Sequence, residues 1–196
     1  MMQPDSLVMI DGEGNLLEGS GEVEASARHI HVAAHRANPR HVAIFHTHMP
    51  YATSLTLLEG EQGKLAMAHQ TACRFHGRIG YEPRFGGLAH DDAEGERLSQ
   101  RTASRQQTDV LFLAHHGVVV GGANIAVAFD DLYYLERACR QQVLATQGGG
   151  TLKLLSDEAV EETAAQIRRD MNIMAERHFQ ALAEVMRASP DRVLTF

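Results

Sequence analysis

Two apolar runs near the middle of the chain constrain the fold more than any other feature. Val110–Ala114 contains only apolar residues, and Val118–Val120 resumes the pattern after His115, His116 and Gly117. A continuous apolar run without polar alternation is typical of a strand that is buried on both faces. Such a strand needs helices on both sides of its sheet, so we expect an α/β fold built around one sheet.

The rest of the chain alternates between helical and extended patterns, without repeats, low-complexity segments or long linkers. Helices are predicted where apolar residues recur every three or four positions, and strands where β-branched and aromatic residues cluster. The last helix is long for a compact domain, and such helices often pack against a neighbouring subunit. We treat residues 1–196 as a single domain. We predict a hairpin over 7–17, helices over 24–37, 50–58, 91–105, 123–147 and 157–188, and further strands over 41–46, 64–69 and 78–81.

The composition argues against several classes of function. The chain has 18 basic and 25 acidic residues and a net charge of −7, so we expect no nucleic-acid partner and no binding to an anionic membrane surface. The apolar runs are too short to span a bilayer. With only two cysteines and no visible export signal, the protein is expected to be cytoplasmic, with reduced thiols.

Histidine is unusually frequent, with twelve residues, and the sharpest local pattern is His46-Thr47-His48. Residues two apart on a strand face the same side, about 7 Å apart along the chain. Two imidazoles in this arrangement can converge on one metal ion, with Zn–N distances of about 2.1 Å. An isolated pair of this kind is more often found at the surface or at a helix cap.

A second histidine pair, His115-His116, follows the strongly apolar strand. Adjacent residues point to opposite faces of a strand, so at most one of them can join His46 and His48. Three imidazoles and an open position form a catalytic type of site for zinc or another divalent ion. Gly117 would allow a close backbone approach or a positive φ angle there. The alternative is a polar turn between two strands.

The remaining histidines and the cysteines carry weaker signals. His31 and His35 lie four residues apart on a predicted helix, which is compatible with a metal pair but more typical of hydrogen-bonded or solvated side chains. His178 falls on the apolar stripe of the last helix, where a core or interface histidine is expected. Cys73 and Cys139 have no C-x-x-C partner and are interpreted as buried thiols. The glycines form no nucleotide-binding motif.

Three blocks of the sequence resemble the class II aldolase/adducin family, which includes adducin head domains and fuculose-phosphate aldolases. They are the stretch from Glu24 to Thr53, with His-Thr-His-Met-Pro-Tyr-Ala-Thr at its end, then Leu113–Val119 and Ala128–Ala138. The resemblance implies a three-layer α/β/α fold around one mixed, largely antiparallel sheet. It also implies a homotetramer with active sites at subunit interfaces.

The resemblance further implies a divalent metal, most often Zn2+, with Mn2+, Co2+ or Fe2+ as alternatives. Matched to the family motifs, its ligands are His46, His48 and His116. Such an ion polarises a substrate carbonyl or hydroxyl and stabilises an enediolate when a carbon–carbon bond breaks. The expected function is therefore a metal-dependent lyase, catalysing aldol-type cleavage or decarboxylation of a small carbonyl or hydroxy-acid compound. Glu24 is the candidate acid/base, and Tyr51 is a candidate proton or hydrogen-bond donor.

Two departures from the family pattern qualify this expectation. Family aldolases carry a glutamate before the H-x-H strand where this chain has Ala27, and Glu24, one helical turn earlier, is its candidate replacement. The chain also begins after the amino-terminal segment whose loop binds the substrate phosphate in family enzymes. Both departures favour a non-phosphorylated substrate or a decarboxylase-like reaction. Two other functions stay open, a non-catalytic adducin-like interaction domain and a non-haem iron oxygenase on the same fold.

Overall fold

A four-stranded mixed sheet forms the centre of this computed structural model, which describes residues 6–87, 97 and 108–188. A short hairpin precedes the sheet, and the described elements also include five α-helices and a 3-10 helix over Gly60–Gly63. The strands are β1 (Met9–Ile10), β2 (Leu16–Glu18), β3 (Ala43–Thr47), β4 (Ile79–Glu82), β5 (Val110–Leu113) and β6 (Gly117–Gly122). The helices are α1 (Ala25–Ala37), α2 (Pro50–Thr56), α3 (Gln70–Cys73), α4 (Ile125–Thr146) and α5 (Asp157–Ala188).

The order of the strands explains how two distant histidine motifs meet. The order is β3-β6-β5-β4, with antiparallel pairing of β3 with β6 and of β5 with β6, and parallel pairing of β4 with β5. Thr47 lies opposite Val118, and Leu113 lies opposite Gly117. The end of β3 and the turn between β5 and β6 therefore share one edge of the sheet. The expected mixed, largely antiparallel sheet is confirmed.

Alternate residues of β5 and β6 enter two separate hydrophobic cores, as the alternation of side chains along a strand requires. One core lies between the sheet and α1, and the other lies between the sheet and α2, α3 and α4. The α1 core contains Ile30, Ala34, Leu111, Leu113 and Val119. Helices thus cover both faces, and the prediction of a three-layer α/β fold is confirmed. The two cores explain why the central strands contain no polar residue.

A buried ionic network, which the sequence patterns do not reveal, joins α3, α4 and the start of β4. Arg74 Nε donates to Asp131 Oδ1 at 2.6 Å, and Arg78 Nη2 donates to Asp131 Oδ2 at 2.5 Å. Arg78 also bonds to Asp109, and Arg74 bonds to Asp130. The aspartates at 130 and 131 are almost fully buried, so their charges are compatible with the interior only because they are paired.

Most element predictions agree with the structure, including the helices that end at Ala37 and Ala188. The prediction of a strand over 64–69 is wrong. The amides of Leu65 and Ala66 donate to the Tyr81 hydroxyl and to Gln142 Oε1, so side chains replace a strand ladder there. The predicted helix over 91–105 lies outside the described residues except for position 97. No described helix is both long and apolar enough to cross a membrane.

Candidate functional site

Three histidines from two sequence motifs converge at the edge shared by β3 and the β5–β6 turn. His46 is the fourth residue of β3, His48 follows the strand, and His116 lies in the turn. One candidate ligand atom from each residue lies within 4.8 Å of the other two. The Nε2 atoms of His46 and His48 are 3.3 Å apart, and the His116 ring centroid lies 4.7 to 4.8 Å from the other two centroids.

The backbone of the β5–β6 turn separates the two adjacent histidines. His115 adopts the left-handed conformation, with φ of 56°, and its amide donates to the Thr56 carbonyl at 3.1 Å. Its ring lies 6.2 Å from the ring of Phe85, whereas His116 joins the cluster. The expectation that only one of the pair joins His46 and His48 agrees with this geometry.

Gly117 allows the two motifs to approach each other. A Cβ atom at this position would overlap the Thr47 carbonyl oxygen and would lie 2.8 Å from Cδ2 of the His48 ring. Of the two predicted uses of this glycine, the structure shows the close approach; the positive φ angle belongs to His115 instead. A larger residue at Gly117 would push β3 and the His48 ring away from the turn.

The separation of the His46 and His48 nitrogens fits two ligands of one small divalent cation. For a tetrahedral zinc site with Zn–N distances of about 2.1 Å, neighbouring ligand nitrogens lie about 3.4 Å apart. The 3.3 Å separation of the two Nε2 atoms of His46 and His48 is close to this value. No carboxylate or thiolate joins the three histidines in the described cluster, so the donor set consists of three imidazole nitrogens.

His46 is held in the tautomer that a metal ligand requires. Its Nδ1 lies 3.1 Å from the Val118 carbonyl oxygen, which can only accept, so Nδ1 carries the proton. Nε2 is then left with a lone pair directed at His48. Burial, the largest cause, lowers the pKa of His46 to about 4, and the neighbouring rings of His116 and His48 also lower it. The ring is therefore neutral at pH 7, which is the form that binds metals.

Glu24 lies at the beginning of α1, where it caps the helix. Its carboxylate accepts hydrogen bonds from the amides of Ser26 and Ala27, at 3.1 and 2.7 Å, and from the Ser26 hydroxyl at 2.6 Å. These are the amides that an N-cap side chain usually binds, although aspartate is the acidic residue preferred at this position. The structure does not bring Glu24 into the histidine cluster, and its role as an acid or base stays a prediction.

Tyr51 lies in the first turn of α2, and its ring packs against the core formed with α2, α3 and α4. The Arg140 guanidinium carbon lies 5.5 Å from the centroid of this ring. The ring also borders a broad cavity of about 1420 Å³, to which none of the three clustered histidines contributes. The role of Tyr51 as a proton donor at the cluster likewise stays a prediction.

The second histidine pair considered as a metal pair, His31 and His35, lies on α1 with its rings loosely together. The ring centroids of His31 and His35 lie 6.4 Å apart, and His35 Nδ1 donates to the His41 carbonyl at 3.0 Å. Within residues 6–87, 97 and 108–188, no third ligand completes a metal site with them. Burial, and then the neighbouring His35, lower the pKa of His31.

Sequence reasoning missed Glu136, a half-buried residue of α4 that contacts the segment just after His48. Its two carboxylate oxygens accept hydrogen bonds from the amides of Tyr51 and Ala52, both at 2.9 Å. The sequence offered only an indirect signal for Glu136. The Met49 side chain cannot cap α2, so the first amides of this helix need an acceptor from elsewhere in the fold.

Comparison with known proteins gives consistent results. The family model for the class II aldolase and adducin N-terminal domain matches residues 1–143. A Caulobacter vibrioides protein classed as aldolase class 2 is 31% identical over 176 residues, which is 86% of this chain and 64% of that protein. A 5-deoxy-D-ribulose 1-phosphate aldolase from Bacillus thuringiensis is 28% identical, over 83% of this chain and 71% of that enzyme.

Other relatives carry names that differ in chemistry. A 3-oxo-tetronate 4-phosphate decarboxylase from Haemophilus influenzae is 28% identical, over 81% of this chain and 72% of the enzyme. A 4-hydroxy-3-prenylphenylpyruvate oxygenase/4-hydroxy-3-prenylbenzoate synthase from Streptomyces roseochromogenus is 27% identical over 75% of this chain. The chain spans about half of that protein's length, and between half and three quarters of the length of the curated relatives named here.

Solved structures agree with the family match. An aldolase II superfamily protein from Pseudomonas syringae superposes with a TM-score of 0.82 and 27% identity, over 95% of this chain and 74% of that one. An L-fuculose 1-phosphate aldolase from Glaciozyma antarctica, 22% identical, shares the fold with a TM-score of 0.75 over 94% of this chain and 70% of that enzyme. The family model covers nearly three quarters of the sequence, and the fold agrees along almost all of it. The chain therefore belongs to the class II aldolase and adducin family.

Proposed function

We propose that this protein is a divalent-metal-dependent carbon–carbon lyase. It would catalyse aldol-type cleavage or decarboxylation of a small carbonyl or hydroxy-acid compound. His46, His48 and His116 are the proposed ligands, and zinc is the proposed metal. The observation that carries the proposal is the convergence of three imidazole nitrogens, without a carboxylate, at one edge of the sheet. We further propose that residues 1–196 act as one domain.

The residues present supply three imidazole donors, and a substrate oxygen would take the fourth position of a tetrahedral site. When bound, a divalent cation would polarise that oxygen and stabilise the negative charge that develops as the carbon–carbon bond breaks. The Val118 carbonyl holds the His46 ring in place, so at least one of the three donors is oriented before a metal ion binds. His48 is exposed to solvent.

The position of Glu24 favours decarboxylation over aldol cleavage. Aldol cleavage requires a base that removes a hydroxyl proton, whereas loss of carbon dioxide requires only that a proton be supplied to the product carbon. To act as the base, Glu24 would first have to give up the hydrogen bonds from Ser26 and Ala27. Tyr51 is a proposed proton donor in either reaction. The names of the decarboxylase and aldolase relatives support both alternatives.

We also propose that the protein acts as a homotetramer in the cytoplasm. Large apolar side chains of α5 are exposed, including Ile173 and Met174 at 58% and 54%, and a neighbouring copy would cover them. Cys73 and Cys139 are buried free thiols, which suits a reducing compartment. The sedimentation velocity of the purified chain tests the assembly.

Metal content per chain tests the proposed function. Protein purified without a histidine tag and without chelators would be examined by elemental analysis, beside the double variant His46→Ala/His48→Ala and the control His35→Ala. We expect about one zinc, manganese or cobalt ion per chain in the wild type and in the control, and none in the double variant. A wild-type protein that neither contains metal nor takes it up on titration would overturn the proposal and favour an adducin-like binding domain.

The oxygenase relative favours a second candidate function, non-haem iron oxygenation. Three imidazole ligands can hold Fe(II) as well as zinc, so the donor set permits this chemistry. The same elemental analysis separates the two candidates. One iron per chain, together with substrate-dependent oxygen consumption, would support the oxygenase and overturn the lyase.

A further inference from the structure

The helix that follows His48 begins without the usual means of capping its amides. The first amides of an α-helix have no partner inside the helix and need another acceptor. Met49 occupies the N-cap position, and its side chain makes no capping hydrogen bond. Pro50, the first helical residue, has no amide proton to satisfy. The amides of Tyr51 and Ala52 therefore require an acceptor from elsewhere in the fold.

Glu136 supplies this acceptor across a long stretch of sequence. Its Oε1 accepts from the Tyr51 amide and its Oε2 from the Ala52 amide, both at 2.9 Å. Glu136 lies 85 residues after Tyr51 and 84 residues after Ala52. Both carboxylate oxygens are thus directed at the same helix turn. Hydrogen bonds to an ionised acceptor are among the stronger ones in proteins. The two hydrogen bonds to Glu136 hold the backbone of the first turn of α2 in place, shortly after His48.

His48 depends on its backbone more than His46 does. The His46 ring is oriented by the Val118 carbonyl, whereas the hydrogen bond described for the exposed His48 ring is the 3.3 Å contact with His46 itself. That contact joins two prospective donors of the same cluster and cannot orient His48 from outside. The direction of the chain through Met49 and Pro50 therefore determines where the His48 ring lies.

We propose that Glu136 is a positioning residue for the histidine cluster. By holding the first turn of α2, it keeps His48 at the separation from His46 that a metal ion requires. This inference rests on the proposed function, because the separation matters only if the cluster binds a metal. Metal ligands commonly depend on such outer contacts, and replacing one typically lowers metal affinity about 10–100-fold.

Two substitutions at this position separate positioning from charge. Glu136→Ala removes both acceptors, and we expect it to weaken Co(II) binding by about tenfold or more. Glu136→Gln keeps the shape and one acceptor oxygen, so we expect an affinity between those of the wild type and the alanine variant. If Glu136 acted only through its negative charge, both variants would lose the same affinity.

A matched control is available on the same helix. Gln142 also bridges from α4 to the backbone, accepting from the Ala66 amide and donating to the Lys64 carbonyl, both at 2.8 Å. Its partners lie in the segment before α3 and not beside the histidines. Gln142→Ala should therefore lower the melting temperature to a similar extent as Glu136→Ala but leave the affinity for Co(II) unchanged.

The experiment combines a Co(II) titration with amide hydrogen exchange of the metal-free proteins. The titration follows the visible absorption of bound Co(II), and the exchange measurement follows the amides of Tyr51 and Ala52. The expected result is faster exchange and weaker binding in Glu136→Ala, with partial recovery in Glu136→Gln. Wild-type affinity in Glu136→Ala, or equal losses in both variants, would overturn the inference while leaving the proposed function intact. A wild type that binds no Co(II) would overturn the proposed function and this inference with it.

Discussion

This fold contains two clusters of ionisable side chains that differ in composition. One pairs opposite charges, and the other gathers three side chains of the same kind. In the network around Asp131, two arginines face three aspartates, and nearly every polar atom is paired within hydrogen-bond distance. In the histidine cluster, three side chains of the same kind direct their nitrogens at one another. The first arrangement is complete without a ligand. The second brings together imidazole nitrogens, which are common ligands of divalent cations.

The difference shows why burial of charge alone does not identify a functional site. The aspartates at 130 and 131 are more deeply buried than any histidine of the cluster, yet their partners are all supplied by the chain. His178, which was expected to be a core or interface histidine, is half-buried and belongs to this network through Asp130, at 2.6 Å. What distinguishes the candidate site is a set of three imidazole donors, with no carboxylate or thiolate among the clustered ligand atoms of the described residues.

Breaking the ionic network should produce the largest change in stability. Asp131→Ala removes the carboxylate that pairs with both Arg74 and Arg78, so two buried guanidinium groups each lose a partner. Removing one side of a buried ion pair typically costs about 3–5 kcal/mol. We expect the free energy of unfolding, measured by urea denaturation, to fall by this amount.

The exposed helix pair of Glu162 and Gln166 provides the control for this prediction. Glu162→Gln on α5 should change the free energy of unfolding by less than about 0.5 kcal/mol, because exposed pairs contribute little. If the free energy of unfolding fell by less than about 1 kcal/mol in Asp131→Ala, the network would not be a main source of stability.

Removing one histidine of the cluster should lower the metal affinity strongly and the stability little, which is the reverse of the effect expected for Asp131→Ala. His116→Ala takes away one of three donors, so we expect Zn2+ affinity to fall by at least about a hundredfold, since two imidazoles rarely retain the ion. The stability of the metal-free protein should stay within about 1 kcal/mol of the wild type, since His116 belongs to neither hydrophobic core. Isothermal titration and urea denaturation measure the two quantities.

The neighbouring residue is a close control for this substitution. His115 lies in the same turn but faces Phe85, and asparagine tolerates its left-handed conformation. His115→Asn should keep the wild-type affinity for Zn2+. If the two variants lost equal affinity, the assignment of His116 as the ligand would be wrong.

The sequence allowed this site, but not the network, to be predicted. His46 and His48 lie two residues apart at the end of β3, and the apolar runs around His116 place its turn at a strand end, so local patterns point to both motifs. Asp131 and Arg78 are 53 residues apart and sit on different elements, and no spacing rule relates them. The resemblance to a known family supplied the choice of His116 over His115, which strand alternation alone left open.

Local patterns failed where side chains replace backbone partners. The strand predicted over 64–69 is absent because Gln142 and Tyr81 bind the amides that a neighbouring strand would have used. Glu136 escaped notice for the same reason, since it caps a helix that lies more than 80 residues before it. Gln142 and Glu136 act through contacts that exist only once α4 has packed against the sheet.

The smallest expected effect concerns the pH dependence of the network's outer member, Asp109. Burial alone would raise its pKa, but hydrogen bonds from His41 and Arg78 and their charges lower it below the usual 3.8. Arg40 also faces this carboxylate, at 3.7 Å. A carboxylate with a lowered pKa in the folded state stabilises the protein fully above its unfolded pKa, and this contribution is lost as the pH falls through the folded value.

Asp109→Asn should therefore reduce the free energy of unfolding at neutral pH, and the difference from the wild type should shrink as the pH falls below about 4. Urea denaturation of both proteins at a series of pH values between about 3 and 7 measures this difference, and the subtraction removes the titration of other carboxylates. A difference that stayed constant down to the lowest pH would show that Asp109 stabilises the fold through its shape and hydrogen bonds alone. His46 should add its own loss of stability as the pH falls from about 6.5 to about 4, because burial lowers the pKa of this ring, and the subtraction removes this contribution as well.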